Sequence, residues 1–191
     1  MIIGIDIDDT ITQLKDRKIE IATKYIKEHN LPYKLINEDG VRFSMMYDWP
    51  LEVCNKFWLE IAFELLDSAT PRPNAVNVIQ KLKSLGHKIV IITARSDNAL
   101  MNAYNMSAQW FARHNIPFDK LIYGFEDKTQ VCVDEKVDIF IDDIPTNLIR
   151  LEPYGIKTIL MGTAHNKVHD GYDGIRVEDW FEIEKHIYNK D

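Results

Sequence analysis

The sequence predicts an α/β fold: a Rossmann-like parallel sheet with helices on both faces and a small helical segment inserted after the first strand. Three features predict it. Short apolar runs rich in isoleucine and valine recur along the chain. From residue 70 onward they alternate with helix-length stretches, the pattern of parallel strands joined by right-handed crossovers. Between the first run and that alternation lies Gln13–Ala69, which holds no convincing buried strand.

Taken in order, Ile2–Ile7 is an apolar run that ends in acids and reads as a buried strand. Asp16–His29 and Leu51–Leu66 read as helices, joined by an irregular stretch with Pro32, Gly40 and Pro50. In the second, Leu51, Cys54, Trp58, Ile61 and Leu65 follow a helical stripe. Ser68–Pro73, with its two prolines, is the return hinge. Pro73–Leu85 is a helix closed by Gly86, and Lys88–Thr93 is the clearest strand. Asn98–His114 reads as a helix and Leu121–Tyr123 as a short strand. Lys128–Glu135 reads as a short helix and Val137–Ile141 as a strand running into Asp142 and Asp143. Ile156–Met161 is expected to be the last strand, and Val177–Tyr188 a terminal helix with Trp180 and Phe181 turned inward. The expected division is an α/β core of residues 1–12 and 70–191 with a helical cap of residues 13–69.

Composition narrows the class. The 191 residues are 46% hydrophobic and 28% charged, enough for a real core in a soluble chain. A formal net charge of −7 speaks against a nucleic-acid polymer as partner, because duplex binding needs a basic face. No apolar run approaches membrane-spanning length, and the amino terminus is interrupted by Asp6, Asp8 and Asp9 too early for a signal peptide. The two cysteines, Cys54 and Cys132, lie in helix-like stretches without metal-ligand spacing, so a reducing cytoplasm is expected. The oligomeric state stays open, a dimer included.

In an open parallel sheet, ligands bind beyond the carboxyl ends of the strands. Here those ends read Asp6-Ile7-Asp8-Asp9-Thr10, then Thr93-Ala94-Arg95, then Asp142-Asp143, with Lys128 opening the helix before the last pair. Singly these are weak signals, since acids after strands are most often turn or cap residues. Together they converge several carboxylates, a hydroxyl and an ammonium on one crevice. Clustered carboxylates repel one another, and a hard divalent cation such as Mg²⁺ relieves that cost. Asp6 then stands where it can attack phosphorus, while Lys128, Thr93 and nearby backbone N–H groups hold phosphoryl oxygens. Asp8, on the same side of the extended chain, is placed to protonate the leaving oxygen and then to activate water. Asp142, with Asp143 as a further candidate, completes the metal site. Lys136 competes with Lys128 for the lysine role but falls at the end of its helix.

The string Ile5-Asp6-Ile7-Asp8-Asp9-Thr10-Ile11, followed by Ile91-Ile92-Thr93, Lys128 and Ile141-Asp142-Asp143, resembles the haloacid dehalogenase superfamily of phosphohydrolases. The resemblance spans about Met1 to Met161. It implies Asp6 as nucleophile through an aspartyl-phosphate, Asp8 as acid and base, and Thr93, Ala94 and Lys128 as phosphate holders. It implies Mg²⁺ on Asp6, Asp142 and the main-chain carbonyl of Asp8, with Thr10, Arg95 and Asp143 as further site residues. An aspartate at Asp8 is what the phosphatase branch carries, and an insert after the first motif looks like the helical cap type. Asp127-Lys128-Thr129, Thr93-Ala94-Arg95 and the late His165-Asn166 look like the 5′(3′)-deoxyribonucleotidase group and its bacterial relatives.

The implied substrate is a small phosphorylated metabolite, with nucleoside monophosphates leading. Phe43, Tyr47 and Trp49, in the irregular part of the insert, are candidates to stack on a base; the plain alternative is that they form the insert's own core. His165 and Asn166 are expected at the crevice rim, while the remaining histidines have no partner spacing. Two other readings stay open: the same chemistry on a sugar phosphate, and a non-enzymatic phosphoacceptor signalling domain.

Overall fold

The computed structural model of the protein describes residues 1–167 and 171–188. In chain order the elements are β1 (Ile2–Ile5), β2 (Thr12–Gln13), α1 (Lys15–Glu28), α2 (Phe43–Met46), α3 (Leu51–Asp67), β3 (Thr70–Pro71), α4 (Ala75–Ser84), β4 (Lys88–Ile92), α5 (Ala103–Arg113), β5 (Lys120–Ile122), α6 (Thr129–Asp134), β6 (Ile139–Asp142), α7 (Pro145–Ile149), a 3₁₀ turn at Glu152–Tyr154, β7 (Lys157–Met161), β8 (Ile175–Val177) and α8 (Trp180–Tyr188). Six strands pair in parallel in the order β5-β4-β1-β6-β7-β8.

The apolar runs are continuous because both faces of the sheet are covered. Alternate side chains go to opposite faces. Ile3, Ile5, Ile89, Ile91, Ile139, Ile141 and Ile159 pack on one side against α4, α5 and α8, with Trp110, Phe111 and Trp180 as the large fillers. Val90, Ile92, Phe140 and Leu160 pack on the other side with Cys132, Leu148 and Leu151. β1 lies between β4 and β6, so the chain's first strand occupies the middle of the sheet.

The insert has its own apolar cluster: Leu14, Ile21, Ala22, Phe43, Met46, Tyr47, Trp49, Phe57, Ile61 and Leu65. It runs on into Met101, Ala103 and Met106 at the start of α5, so the insert rests on the sheet's flank. The two crossings between insert and sheet lie side by side, because β2 and β3 pair antiparallel with Thr12 opposite Pro71. Arg72 fixes this junction. Its N–H donates to the Ile11 carbonyl (2.7 Å), and its guanidinium donates to the carbonyls of Asp9 (3.1 Å) and Gly162 (3.0 Å).

Several elements differ from expectation. β8 is an additional strand beyond Ile156–Met161; three residues after a glycine-rich stretch carry too little periodicity to announce one. Val177 belongs to it, and the terminal helix starts at Trp180. Trp180 is fully buried, its indole N–H donating to the Thr10 carbonyl (3.1 Å), but Phe181 is half exposed. α5 starts at Ala103 rather than Asn98, because the Asn102 side chain caps it by accepting from the Asn105 N–H (2.8 Å). The short helix α2 and the β2–β3 ribbon lie where only irregular chain was expected.

Gly4 sits on the middle strand opposite Phe140. A Cβ there would lie 2.6 Å from Phe140 Cδ2 and 3.1 Å from Val137 Cγ1, so the missing side chain makes room for a fully buried ring. Gly4→Ala is therefore expected to destabilise the protein by about 1–3 kcal/mol through overpacking. Urea unfolding reads this directly, and an unchanged midpoint would show that the ring has room to move.

Candidate active site

The carboxyl edge of the three middle strands gathers the acidic motifs. Asp6 follows β1, its N–H held by the Ile141 carbonyl of β6 (3.0 Å). Asp142 ends β6 and Thr93 follows β4. Lys128 caps the start of α6 and turns its ammonium between two carboxylates, donating to Asp6 Oδ1 (2.5 Å) and Asp142 Oδ2 (2.7 Å). All three side chains are at least nine-tenths buried. Lys136, the competing lysine, is exposed in the turn after α6.

Local structure fixes the other acids. Asp142 also accepts from the Ile144 N–H (2.8 Å) and from the Asn147 amide (2.9 Å). Asp143 accepts from the Thr10 hydroxyl (3.1 Å) and lies 2.8 Å from His165 Nε2. Asp9 occupies the left-handed region at φ 59°, which aspartate tolerates better than most residues, and so turns the chain sharply after Asp8. The turn is pinned: Asp9 accepts from the Leu14 N–H (2.9 Å) and from the Lys18 ammonium (3.0 Å). In the sequence Asp9 stood in the acidic motif without a role of its own and Lys18 was given none; an aspartate directly after Asp8 reads as an ordinary turn residue.

Asp8 pairs with Arg95. Its two carboxylate oxygens accept from Arg95 Nη2 (2.6 Å) and Nε (2.9 Å). Thr93 Oγ1 accepts from the Arg95 N–H (3.2 Å), and Ala94 is exposed beside it.

Charge in this cluster is unbalanced. Asp6, Asp142 and Asp143 can each turn one oxygen to within 4.8 Å of the others. Burial pushes the Asp6 carboxyl well above its ordinary range; Lys128 opposes this, while Asp142, Asp143 and Asp8 add to it. Burial likewise raises Asp143 to about 6, against the pull of His165. Burial alone would lower the Lys128 ammonium, but Asp142 and Asp6 outweigh it and raise it. One ammonium does not neutralise three buried carboxylates. The donor set is all oxygen, so the residues fit a hard divalent cation. Asp8 stands apart from this cluster by its carboxylate, which faces Arg95.

The expected pocket residues are placed differently. Phe43, Tyr47 and Trp49 are buried in the insert's core. Tyr47 stacks on Trp49 (centroids 4.7 Å), and Phe43 and Trp49 both meet the edge of Phe57 (4.8 Å each). Their sequence positions could not separate a ring lining a pocket from a ring filling one. Asn166 is equally committed. Its amide donates to the carbonyls of Asp143 (2.7 Å) and Met161 (2.8 Å) and accepts from the Thr163 N–H (2.9 Å), which makes it a clip for the loop after β7. His165 meets Asp143 and also lines the cavity beside the cluster. His169, given no role, lies outside the described residues. A cavity of about 630 Å³ opens beside this cluster: Asp9 and His165 line it together with Lys15, Lys18, Asp39 and Arg72.

The parallel sheet that carries this acid–lysine constellation has a haloacid dehalogenase-like fold. Solved structures agree on the fold. A haloacid dehalogenase-like family hydrolase from Streptococcus pneumoniae superposes with a TM-score of 0.61 at 17% identity, over 97% of each chain. A protein described as a predicted phosphoglycolate phosphatase from Haemophilus somnus gives 0.68 at 14%, again over 97% of each. By sequence, the model of the family described as "5' nucleotidase, deoxy (Pyrimidine), cytosolic type C protein" matches residues 1–190, and the chain belongs to that family. It is a phosphomonoester hydrolase, which removes the signalling-domain reading. The "Putative 5'(3')-deoxyribonucleotidase" of Chlorobaculum tepidum is 26% identical over 190 residues, covering 96% of this chain and 88% of that protein. No helix among the described residues is long and apolar enough to cross a membrane.

Two outcomes follow from the geometry. The Asp143 carboxyl is raised on folding, so its contribution to stability is present below about pH 4 and is lost as pH rises through about 6. In chelator, wild-type stability measured by urea unfolding should fall by about 1 kcal/mol between pH 5 and 7 relative to Asp143→Asn. Parallel pH profiles for the two proteins would show that Asp143 is not desolvated. Separately, Trp49→Ala should cost about 3–5 kcal/mol of stability, as for other large core truncations. Any loss of activity should be equal on p-nitrophenyl phosphate and on larger esters; a loss confined to a nucleotide would instead put this ring in the substrate pocket.

Proposed function

We propose that the protein is a Mg²⁺-dependent phosphatase of nucleoside monophosphates that works through an aspartyl-phosphate on Asp6. The observation that carries the chemistry is Lys128 held between Asp6 and Asp142 at the carboxyl edge of the sheet. The nucleotide substrate rests on membership of the nucleotidase family. The burial of Phe43, Tyr47 and Trp49 withdraws the stacking surface that would have supported it independently, so a sugar phosphate remains the second reading.

In this scheme residues 1–12 and 70–191 form the catalytic core and residues 13–69 its cap. The carboxylate of Asp6 forms a bond to phosphorus as the bond to the leaving oxygen breaks. Lys128 and Thr93 hold the phosphoryl oxygens. Asp8 gives its proton to the leaving oxygen, then takes one from the water that splits the aspartyl-phosphate and frees Asp6. Asp6, Asp142 and the main-chain carbonyl of Asp8 would hold Mg²⁺, with Asp143 alongside. When bound, the ion supplies positive charge against the phosphoryl oxygens and the crowded carboxylates. The free, buried cysteines Cys54 and Cys132 are compatible with a reducing cytoplasm as the place of action.

Asp6→Asn should abolish turnover in a protein that still unfolds in one cooperative thermal transition, and exhaustive chelation should abolish turnover reversibly. Asp8→Asn should lose a factor on the order of 10²–10⁴ in rate. A panel of nucleoside monophosphates and sugar phosphates, compared by kcat/KM, assigns the substrate. Wild-type rates in Asp6→Asn would overturn the mechanism, and preference for a sugar phosphate would overturn the nucleotide reading alone.

A further inference from the structure

Arg95 is a buried arginine beside the acids of the site. Its side chain is 1% exposed. Every part of the residue is tied down. Its N–H donates to Thr93 Oγ1 (3.2 Å), and its carbonyl accepts from the Gly124 N–H (2.7 Å). Nη1 donates to Ser107 Oγ (3.2 Å) and lies 3.6 Å from Met106 Sδ, both on α5. The remaining edge of the guanidinium, Nε and Nη2, meets both oxygens of Asp8. Asp8 is Arg95's acidic partner among the described residues, and its side chain is itself 31% exposed.

This geometry separates a rigid half from a movable half. The arginine is fixed by the sheet and by α5, while the aspartate sits on the turn with one side open. A fork of two parallel N–H bonds sets the plane and direction of a carboxylate, which a lysine's point charge does not. Asp8 has two chemical tasks on one position, and both require an oxygen aimed at the reacting group to within hydrogen-bonding reach. One oxygen of Asp8 can swing to the leaving group while the other keeps its bond to Arg95.

We propose that Arg95 is a positioning residue that aims the Asp8 carboxylate during proton transfer and does not itself bind substrate. The inference rests on Asp8 being the acid and base of the reaction. In the first step the proton leaves the Asp8 carboxyl for the leaving oxygen, and in the second it returns from water. Arg95 stays protonated throughout, so no proton or electron enters or leaves through it.

The test compares Arg95→Met, Arg95→Lys, Asp8→Asn and the double variant Asp8→Asn/Arg95→Met on two esters. One is a primary-alcohol phosphate that the wild-type protein turns over, whose leaving oxygen needs a proton. The other is p-nitrophenyl phosphate, whose leaving group needs little help. Arg95→Met keeps length without charge and leaves Asp8 facing solvent, so the fold should persist; a thermal melt checks this. For the alcohol ester, kcat/KM should fall about 10–100-fold through kcat, with KM nearly constant, a fraction of what the general acid itself contributes. For p-nitrophenyl phosphate kcat/KM, which stops at phosphoryl transfer and does not contain the shared hydrolysis of the aspartyl-phosphate, should fall less than about 3-fold. Arg95→Lys should recover little. The double variant should be no slower than Asp8→Asn alone, because Arg95 acts through that residue.

Equal losses in kcat/KM on both esters, a KM rise as the main effect on the alcohol ester, or a double variant whose losses multiply would overturn the proposal and make Arg95 a substrate contact. If Asp8→Asn itself leaves the alcohol ester unaffected, the assignment of Asp8 as acid fails instead. The two failures are therefore distinct.

Discussion

The site depends on one ammonium placed between two carboxylates. Lys128 meets Asp6 and Asp142 with almost no water around any of the three. A buried ion pair gains little over well-packed apolar residues, but removing one partner from it is expensive. Lys128 is therefore poor value as a stabiliser and strict as a constraint. It fixes where β1 and β6 end relative to the start of α6, and with that the distance between the Asp6 and Asp142 carboxylates. Asn147 and the Ile144 N–H complete the Asp142 side, so that carboxylate is oriented from several directions.

The strands and their order of chemistry were legible in the sequence because two simple signals coincided there. Ile2–Ile5, Lys88–Ile92 and Ile139–Asp142 are β-branched runs bounded by polar residues, and each runs into the acids or the hydroxyl gathered at the sheet's carboxyl edge. β8 was not legible, since its edge position follows from pairing with β7 and three residues hold no pattern. Phe181 was read inward because it adjoins Trp180, but neighbours on a helix point about 100° apart and only one faces the sheet. Lys128 was separable from Lys136 by its place at a helix start, yet only the fold shows that start lying against β1.

The pairing of Asp8 with Arg95 was illegible for a different reason. The residues are 87 positions apart, and nothing in either local pattern names the other. The same holds for the aromatic insert residues. Phe43, Tyr47 and Trp49 gave the right composition for a pocket and the right composition for a small core. The choice between them was made by Phe57 and Tyr25, which come from two helices on either side of the irregular chain.

The short β2–β3 ribbon has a consequence for how such a chain changes over time. Because Thr12 and Pro71 are paired, the insert leaves and re-enters the sheet at neighbouring points. The entropy of closing a loop between fixed ends grows only logarithmically with its length, about 0.6 kcal/mol for each doubling. Arg72 bonds Ile11, Asp9 and Gly162, which holds the ends together from the sheet side without help from α1 or α3. The segment between them is thus a replaceable module on a closed socket. Its length and sequence can drift most freely beyond Lys18, because Leu14 and Lys18 at its start still hold the Asp9 turn below.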